Sequence, residues 1–478
     1  MKTIFTLIFA VIVFTTGHAK VRLPWFFSDN MVLQQQAHPK IWGWTNNKTT
    51  VTIYTSWNKK KHITKPDANG KWETILSTTK AGGPYQISIS DGETTTIKNI
   101  LIGEVWICSG QSNMEMPMKG FKNQPIFNSN DYIFSSDNNE IRLYTIPRSV
   151  QTKLLDTSKQ SHWKIANPLD VSHFSAVGYL FAKMLYEKLK VPIGVINVSY
   201  GGSPIEAFMD EATLRKLDVK IPDFNALKDI NNRTYTTLYN GMMHPLIGVM
   251  AKGFIWYQGE SNANDPDAYE KVFPEFVKML RTQFGYGEFP FYYVQIAPYN
   301  YNGNKKTGNV LLNSAFLRDA QRKSLSVINN SGMVVTMDIG DATNIHPGDK
   351  ETVAKRLAKL ALSNTYDYKG FASTGPLYES MEIKDNTALI KFKNAPNGFT
   401  TFGAPMNDFE IAGANRIFYP AKTKITNSGI EVSASEVNVP VAVRYAFTDF
   451  AKGSLFNTEG FPASSFRTDD WKDPETKK

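Results

Sequence analysis

The chain has 478 residues, of which 42% are hydrophobic and 20% are charged, with a net charge of +9. This composition excludes a disordered chain and indicates a globular protein of two or three domains, at about 100–200 residues per domain. The single cysteine, Cys108, excludes an intramolecular disulfide, so we expect stability to come from the hydrophobic core.

The first residues have the pattern of a signal peptide. Lys2 is followed by an apolar run at residues 4–14, which is shorter than the ~20 residues of a membrane-spanning helix. Small residues at Gly17 and Ala19 fit a cleavage site, which predicts a signal peptide at residues 1–19. We therefore expect an exported protein, periplasmic or secreted, with no membrane span and no nucleic-acid partner. The sequence leaves the oligomeric state open.

Two β-rich regions are predicted, one at each end of the chain. Segments 50–54 and 85–89 alternate with the period of a half-buried strand and are separated by turn-forming residues, which predicts a β-sandwich at residues 20–99. The β pattern returns in segments such as 388–392, so residues 369–478 are predicted to be a second β-rich region.

Residues 100–368 alternate buried strands with helices. The candidate strands are continuous apolar runs, which is typical of parallel strands buried on both faces. This alternation predicts an α/β domain with a parallel sheet between helices and with chemistry beyond the carboxyl ends of its strands. The candidate strands span residues 105–108, 193–198, 253–257, 291–296 and 333–337, and the helical patterns span residues 174–185, 272–280, 312–320 and 353–361.

Ser112 follows the first of these strands, in the turn at residues 109–114 (SGQSNM). A small polar turn after a buried strand can expose a hydroxyl, and backbone N–H groups near a helix start can face the oxyanion of acyl transfer. Ser112 is therefore a candidate nucleophile, with a plain helix N-cap as the alternative. Cys108 is a rival by position, but its place inside the apolar strand favours an inert thiol.

His346 is the candidate general base for a serine nucleophile. It follows the last candidate strand, in the loop at residues 338–347, where two aspartates are close in sequence. A surface histidine is the alternative, and His244 is predicted to be a structural or pocket-wall residue. No two histidines have zincin spacing, so no metal site is expected.

Four blocks of the middle region resemble the sialate O-acetylesterases, which belong to the SGNH hydrolase superfamily. The blocks occur in the family's order, each after a predicted strand, and the flanking β regions are also similar to that family's. The blocks are residues 103–114 (GEVWICSGQSNM), 200–203 (YGGS), 256–262 (WYQGESN) and 338–347 (DIGDATNIHP).

The resemblance implies a flavodoxin-like catalytic domain and a serine acyl-enzyme mechanism without a cofactor. Ser112 would be the nucleophile and His346 the base. The superfamily usually has an aspartate three residues before the histidine, where this chain has Thr343. Asp341 is the preferred orienting acid and Asp338 the alternative, and a Ser–His dyad with a backbone carbonyl on the ring is a third arrangement.

An oxyanion hole is also implied by the resemblance. The Ser112 N–H would be one donor, and the N–H of Gly201 or Gly202 a second, because a glycine lets the backbone come close. The third donor, an asparagine in the wider superfamily, would be the Gln258 amide, with Asn262 as the fallback.

The resemblance further implies a carboxylic ester hydrolase that removes O-acetyl groups, with the 9-O-acetyl ester of sialic acid as the expected substrate. Sialic acid carries a carboxylate, so an arginine near the site would suit it. Arg318 and Arg142 are candidates, with a helix-surface salt bridge as the alternative for each, and His244 and Asn262 are further candidates for substrate binding. Acetylated xylan or another glycan is the alternative substrate, and a non-catalytic glycan-binding protein or a lipase or thioesterase is the alternative function.

Overall fold

The computed structural model describes residues 21–46, 50–301 and 314–471. The predicted signal peptide at residues 1–19 lies outside the described residues. Within them, helices cover a central mixed sheet, and further β-rich regions precede and follow it. This architecture confirms the predicted α/β class with flanking β regions. Among the described helices, none has the length and apolar character that crossing a membrane requires.

The N-terminal region consists of strands in two sheets. Its strands are β1 (Val32–Gln34), β2 (Lys40–Trp44), β3 (Val51–Thr55), β4 (Lys60–Thr64), β5 (Lys71–Ile75), β6 (Gly82–Ser90) and β7 (Thr94–Gly110). β3 pairs with β4 and β6, β6 pairs with β7, and β2 pairs with β5, all in antiparallel register. Alternate side chains such as Ile53, Ile87 and Ile89 are fully buried in one core, as the period-two pattern predicts.

The middle region alternates strands and helices as predicted. Its strands are β8 (Asn138–Thr145), β9 (Lys164–Ala166), β10 (Ile193–Ser199), β11 (Gly253–Tyr257), β12 (Phe291–Val294) and β13 (Ser331–Val334). Its helices are α1 (Ser112–Glu115), α2 (Ser129–Phe134), α3 (Pro168–His173), α4 (Ala176–Leu189), α5 (Glu211–Lys216), α6 (Pro266–Phe284), α7 (Ser314–Ser324) and α8 (Lys350–Asn364), with short 3₁₀ or π turns at Ile205–Phe208, Tyr239–Met243, His244–Leu246 and Glu260–Asn262. Pro274 lies inside α6.

The central sheet places its strands in the order β13–β12–β11–β7–β10–β8–β9. All neighbours from β13 to β8 are parallel, and β9 is antiparallel to β8. Without the edge strands β8 and β9, the chain order across the sheet is 2-1-3-4-5, as in flavodoxin. The order reverses between β7 and β11, so the carboxyl ends of these two strands mark the point where ligands bind in open α/β sheets.

β7 belongs to both regions. Residues 94–102 pair with β6 of the N-terminal region, and residues 104–110 pair with β10 of the central sheet. The predicted domain boundary between residues 99 and 100 therefore falls inside one continuous strand.

The C-terminal region forms small antiparallel sheets and packs on α7. Its strands are β14 (Leu377–Lys384), β15 (Thr387–Lys393), β16 (Phe399–Thr400), β17 (Phe409–Ala412), β18 (Phe418–Pro420), β19 (Lys422–Thr426), β20 (Gly429–Ser433), β21 (Ala442–Tyr445), β22 (Phe456–Asn457) and β23 (Phe466–Arg467). Arg318 of α7 donates to Ser465 Oγ at 3.2 Å, and Arg467 of β23 forms an ion pair with Asp319 at 3.2 Å. These polar contacts tie the C-terminal region to the helix that covers the central sheet.

Candidate active site

β7 ends at a glycine that no other residue can replace without strain. Gly110 has a φ of +141°, and a Cβ there would lie 2.1 Å from the carbonyl oxygen of Tyr257 on β11. The chain therefore turns sharply out of the sheet and enters α1 two residues later. This turn places Ser112 at the first helical position, above the carboxyl end of β7.

The first N–H group of α1 is not capped. Gln111 is the N-cap residue, but its side chain makes no capping hydrogen bond. Its Oε1 instead accepts from the N–H groups of Gly259 and Ser261, at 3.3 and 3.2 Å. Within the described part of the chain, the Ser112 N–H meets no acceptor. It is therefore available to an oxyanion formed at the serine side chain.

Ser112 and His346 are in hydrogen-bonding contact. Ser112 Oγ lies 2.8 Å from His346 Nε2, although the two residues are 234 positions apart in the chain. On the other side of the ring, His346 Nδ1 lies 2.7 Å from Gln124 Oε1. Because an amide oxygen only accepts, this contact fixes the tautomer with the proton on Nδ1 and leaves Nε2 to accept the serine proton. Phe121 packs edge-on against the imidazole at 5.3 Å between ring centroids.

Burial keeps the imidazole neutral. Burial, with a smaller contribution from the positive charge of Lys350, lowers the pKa of His346 to about 4. The ring is therefore uncharged at neutral pH and can act as a proton acceptor.

A buried polar network supports both residues. Lys350 Nζ donates to Asn113 Oδ1 at 2.5 Å, and Asn113 Nδ2 donates to Glu260 Oε1 at 2.5 Å and to the Ile345 carbonyl at 3.1 Å. Burial lowers the pKa of Lys350 to about 7 and raises the pKa of Glu260. The network thus connects α1, the segment after β11 and the loop that carries His346.

Asp341, the preferred orienting acid, does not reach the imidazole. Its Oδ1 accepts from the N–H and hydroxyl of Thr343, at 2.7 and 2.8 Å, and from the N–H of Asn344 at 3.1 Å. These hydrogen bonds lower the pKa of Asp341 and hold it in an exposed turn. Both ring nitrogens of His346 face other groups, so the structure corrects the expected Asp341–His346 contact.

Asp338, the alternative acid, is also engaged elsewhere. Its two carboxylate oxygens accept from Arg356 NH1 and NH2, at 2.8 and 2.6 Å. The place that an aspartate takes in a Ser–His–Asp triad is held here by the neutral side chain of Gln124.

The first glycine after β10 lies against Ser112. A Cβ added to Gly201 would be 3.2 Å from Ser112 Cβ, so a larger residue would crowd the serine. The Gly201 N–H donates to Glu115 Oε2 at 2.8 Å and is therefore occupied. The Gly202 N–H meets no acceptor among the described residues. Of the two predicted glycine donors, Gly202 is the one whose N–H is free for an oxyanion.

The two amides expected to provide a third donor are directed into the protein. Gln258 is fully buried, and its Nε2 donates to the Ser203 carbonyl at 3.2 Å and to Asn262 Oδ1 at 2.7 Å. Asn262 Nδ2 donates to Glu206 at 2.9 Å, and its Oδ1 also accepts from the Ile205 N–H at 3.0 Å. Both amides therefore stabilise the fold, and neither has an N–H group left for an oxyanion or a substrate.

The predicted substrate-binding cations are also inaccessible. Arg318 and Arg142 have relative exposures of 0% and 2%, and burial lowers the pKa of each to about 10. His244 Nδ1 donates to the Leu155 carbonyl at 2.9 Å, and the residue borders a cavity of about 420 Å³. That cavity lies between β2 and β5 of the N-terminal region and the segments that precede β11 and β12, at the sheet edge opposite Ser112. None of the three residues is brought to the site.

Two residues at the site were not found from the sequence. Glu115 follows the SGQSNM turn directly and forms a bidentate ion pair with Arg148 at 2.6 and 2.7 Å. An acid immediately after the nucleophile turn is a signal that could have pointed to it. Gln124 lies in an irregular loop 222 positions from His346, where no sequence pattern indicates its role.

The assembled groups can activate a hydroxyl for attack on a carbonyl. A serine hydrogen-bonded to a neutral imidazole, beside free backbone N–H donors, fits nucleophilic acyl transfer. In the part of the chain that the structure describes, no cluster of three or more histidine, cysteine, aspartate or glutamate side chains could hold a metal ion.

Comparison with known proteins places this site in a family. Residues 102–363 match the family described as carbohydrate esterase, sialic acid-specific acetylesterase. The chain is 30% identical over 395 residues to the sialate O-acetylesterase of Homo sapiens, covering 76% of this chain and 75% of that protein. It is 27% identical over 511 residues to that of Mus musculus, covering 92% and 93%.

A solved structure agrees with these relatives. The crystal structure of a carbohydrate acetylesterase from Xanthomonas citri matches 95% of this chain and 100% of its own, with a TM-score of 0.85 and 32% identity. The protein is thus a carboxylic ester hydrolase of the carbohydrate esterase class. Within that class, the chain belongs to the sialic acid-specific acetylesterase family, which confirms the resemblance seen in its sequence.

Proposed function

We propose that this protein hydrolyses O-acetyl esters of sialic acids, with the 9-O-acetyl ester preferred, by a serine acyl-enzyme mechanism. The observation that carries the proposal is the 2.8 Å contact between Ser112 Oγ and His346 Nε2. The human and mouse sialate O-acetylesterases, which are similar to most of this chain, support the substrate class.

The first half-reaction forms an acetyl-enzyme. Ser112 Oγ attacks the acetyl carbonyl while its proton passes to His346 Nε2. The N–H groups of Ser112 and Gly202 donate to the oxyanion. The tetrahedral intermediate collapses as the bond to the sugar oxygen breaks, and the imidazolium gives its proton to that oxygen. The sugar leaves with a free hydroxyl group.

The second half-reaction restores the enzyme. Water attacks the acetyl carbon of the ester on Ser112, and His346 Nε2 accepts a proton from the water. The same two N–H groups hold the oxyanion. The bond to Ser112 Oγ then breaks, the serine regains its proton from the imidazolium, and acetate leaves.

In this scheme Gln124 is a positioning residue. Its Oε1 accepts the Nδ1 proton of His346 and fixes the ring orientation, which is one of the two roles of a triad aspartate. It does not supply the other role, a negative charge beside the imidazolium. The scheme is therefore a Ser–His dyad oriented by an amide.

We also propose that the middle region is an SGNH-type hydrolase domain and that the protein is exported. The 2-1-3-4-5 strand order, with the serine after the first strand, supports the domain assignment. Lys2 and the apolar run after it support export through a signal peptide.

The test is acetate release from 9-O-acetylated sialic acid and from acetylated xylan, measured side by side. We expect release from sialic acid, and Ser112→Ala should abolish it. Ser326→Ala, which removes an exposed hydroxyl after α7, is the matched control and should keep wild-type activity.

Each other outcome would contradict part of the proposal. Release from xylan alone would keep the mechanism and overturn the substrate. Release from neither by folded protein would favour a glycan-binding protein. Undiminished release by Ser112→Ala would overturn the nucleophile.

A further inference from the structure

Arg233 contacts the glycine loop that packs against Ser112. Its NH1 donates to the Gly202 carbonyl at 3.2 Å, and Gly202 follows Gly201, which packs against Ser112. Because consecutive Cα atoms are about 3.8 Å apart, Arg233 is held one residue beyond the glycine that touches the serine. Its side chain is exposed. An exposed cation is thus anchored to the glycine loop that packs against Ser112.

The turn that carries Arg233 is bound to the glycine loop. Asn232 Nδ2 donates to the Gly201 carbonyl at 2.7 Å and to Ser203 Oγ at 3.2 Å. The Arg233 N–H donates to Asn231 Oδ1 at 2.9 Å. These contacts fix the backbone from which the side chain starts, so its guanidinium has a limited range of positions near the site.

Arg233 differs from Arg148, whose partner Glu115 accepts from the Gly201 N–H. Arg148 uses Nε and NH2 on the carboxylate of Glu115 and stacks over Tyr200 at 4.5 Å, so its charge is balanced. Arg233 uses one of its five N–H groups to donate to a carbonyl oxygen. No carboxylate of the described residues forms an ion pair with it. Of the two arginines, Arg233 is the one that can accept an anion.

We infer that Arg233 binds the carboxylate of an acidic sugar whose O-acetyl group lies at Ser112. A guanidinium matches a carboxylate through two parallel N–H···O hydrogen bonds, and a lysine at the same place does not. The inference rests on the proposed function and gives it a residue for recognition of the acid. Arg233 takes the role that was expected of Arg318 or Arg142. Both of those side chains are buried and cannot contact the substrate.

The test compares 9-O-acetylated sialic acid with its C1 carboxamide, which has the same shape without the charge. The readout is the ratio of kcat/KM for acetate release from the two compounds. We expect the wild type to prefer the acid by about 10- to 100-fold, the range for hydrogen bonds to a charged group. In Arg233→Ala the ratio should approach one, and in Arg233→Lys it should be intermediate.

Arg215→Ala is the matched control, because Arg215 is an exposed arginine on α5 that pairs with Glu211. It should keep the wild-type ratio. A purely structural role for Arg233 would lower both rates and leave the ratio unchanged, which would overturn the inference. Equal use of acid and carboxamide by the wild type would also overturn it. If the wild type released acetate from neither compound, the proposed function would fail, and the assignment of Arg233 with it.

Discussion

Two polar segments, residues 111–114 and 258–262, follow the neighbouring parallel strands β7 and β11. Only the first of them presents groups that a substrate can contact. After β7, Ser112 presents its hydroxyl to His346 with a free N–H beside it. After β11, the Gln258 amide is fully buried and bonded to Ser203 and Asn262. Both segments are rich in polar residues and lie at the same edge of the sheet. Their hydrogen-bond partners, rather than their composition or position, separate a reactive segment from a structural one.

The structural segment positions the reactive one. Glu260, two residues after Gln258, accepts from Asn113, the residue after the nucleophile, at 2.5 Å. Gln111 Oε1 accepts from two backbone N–H groups of the segment after β11. We therefore expect substitutions in the first segment to reduce turnover directly, and those in the second to act through stability. Substitutions in the two segments test this difference.

The largest effect is expected for His346→Ala. Removing the base should lower kcat/KM on 9-O-acetylated sialic acid by about 10⁴-fold or more, because the serine is then not deprotonated as it attacks. Thermal unfolding measured on the variant shows whether it is folded, so that the loss can be assigned to the missing base.

The control is His244→Ala, which removes the histidine at the opposite sheet edge and should leave kcat/KM unchanged. A comparable loss in both variants would show that the two edges of the sheet do not differ in function.

The sequence was sufficient to predict that Ser112 and His346 come together. Ser112 and His346 both follow buried apolar strands of the α/β region, and the carboxyl ends of parallel strands gather at one edge of a sheet. The strands β7, β10, β11, β12 and β13 could likewise be predicted, because strands buried on both faces are continuous apolar runs.

The partners of these residues could not be predicted from local pattern. Gln124 meets His346 across 222 positions and belongs to no regular element. Arg318 lies on a helix whose outer face is covered by Ser465 and Thr448, more than a hundred positions later. Such contacts depend on how distant segments pack, and neither periodicity nor spacing carries that information.

Gln124→Ala should have the second largest effect. Loss of the Nδ1 partner leaves the tautomer and orientation of His346 unfixed, and we expect kcat/KM to fall by about 10- to 100-fold, the range for partners that orient metal-binding histidines. Gln124→Glu sharpens the test, because a carboxylate at Nδ1 favours the charged ring and should move the acid limb of the pH–rate profile to higher pH. Unchanged kcat/KM in Gln124→Ala would assign the orienting role to another group.

Gln258→Leu should affect stability more than turnover. The variant leaves the Ser203 carbonyl without the Gln258 donor and Asn262 Oδ1 with the Ile205 N–H alone, so the free energy of unfolding should fall by about 1–3 kcal/mol. Folded enzyme should lose less than about 10-fold in kcat, whereas loss of an oxyanion donor costs about 100- to 1000-fold. Urea unfolding and kcat measured on the same preparation separate these effects. A loss of 100-fold in kcat at unchanged stability would restore Gln258 as an oxyanion donor.

The smallest effect concerns the pH dependence of the reactive segment. The neutral imidazole is the active form. We therefore expect kcat/KM to be maximal above the pKa of His346, about 4, and to fall as the pH drops through that value. An exposed histidine, with a pKa of about 6.5, would lose activity more than two pH units earlier. Because the charge of Lys350 contributes to the low pKa, Lys350→Met should move the acid limb upward.

The measurement is kcat/KM on 4-nitrophenyl acetate across the acid range, with circular dichroism at each pH to show that the protein stays folded. Lys355→Met is the matched control, since Lys355 lies on the same helix, is exposed and pairs with Glu351. It should leave the acid limb in place. A wild-type limb near pH 6.5, at about the ordinary pKa of histidine, would mean that water reaches the ring in solution. The imidazole of His346 would then be as accessible to water as the hydroxyl of Ser112.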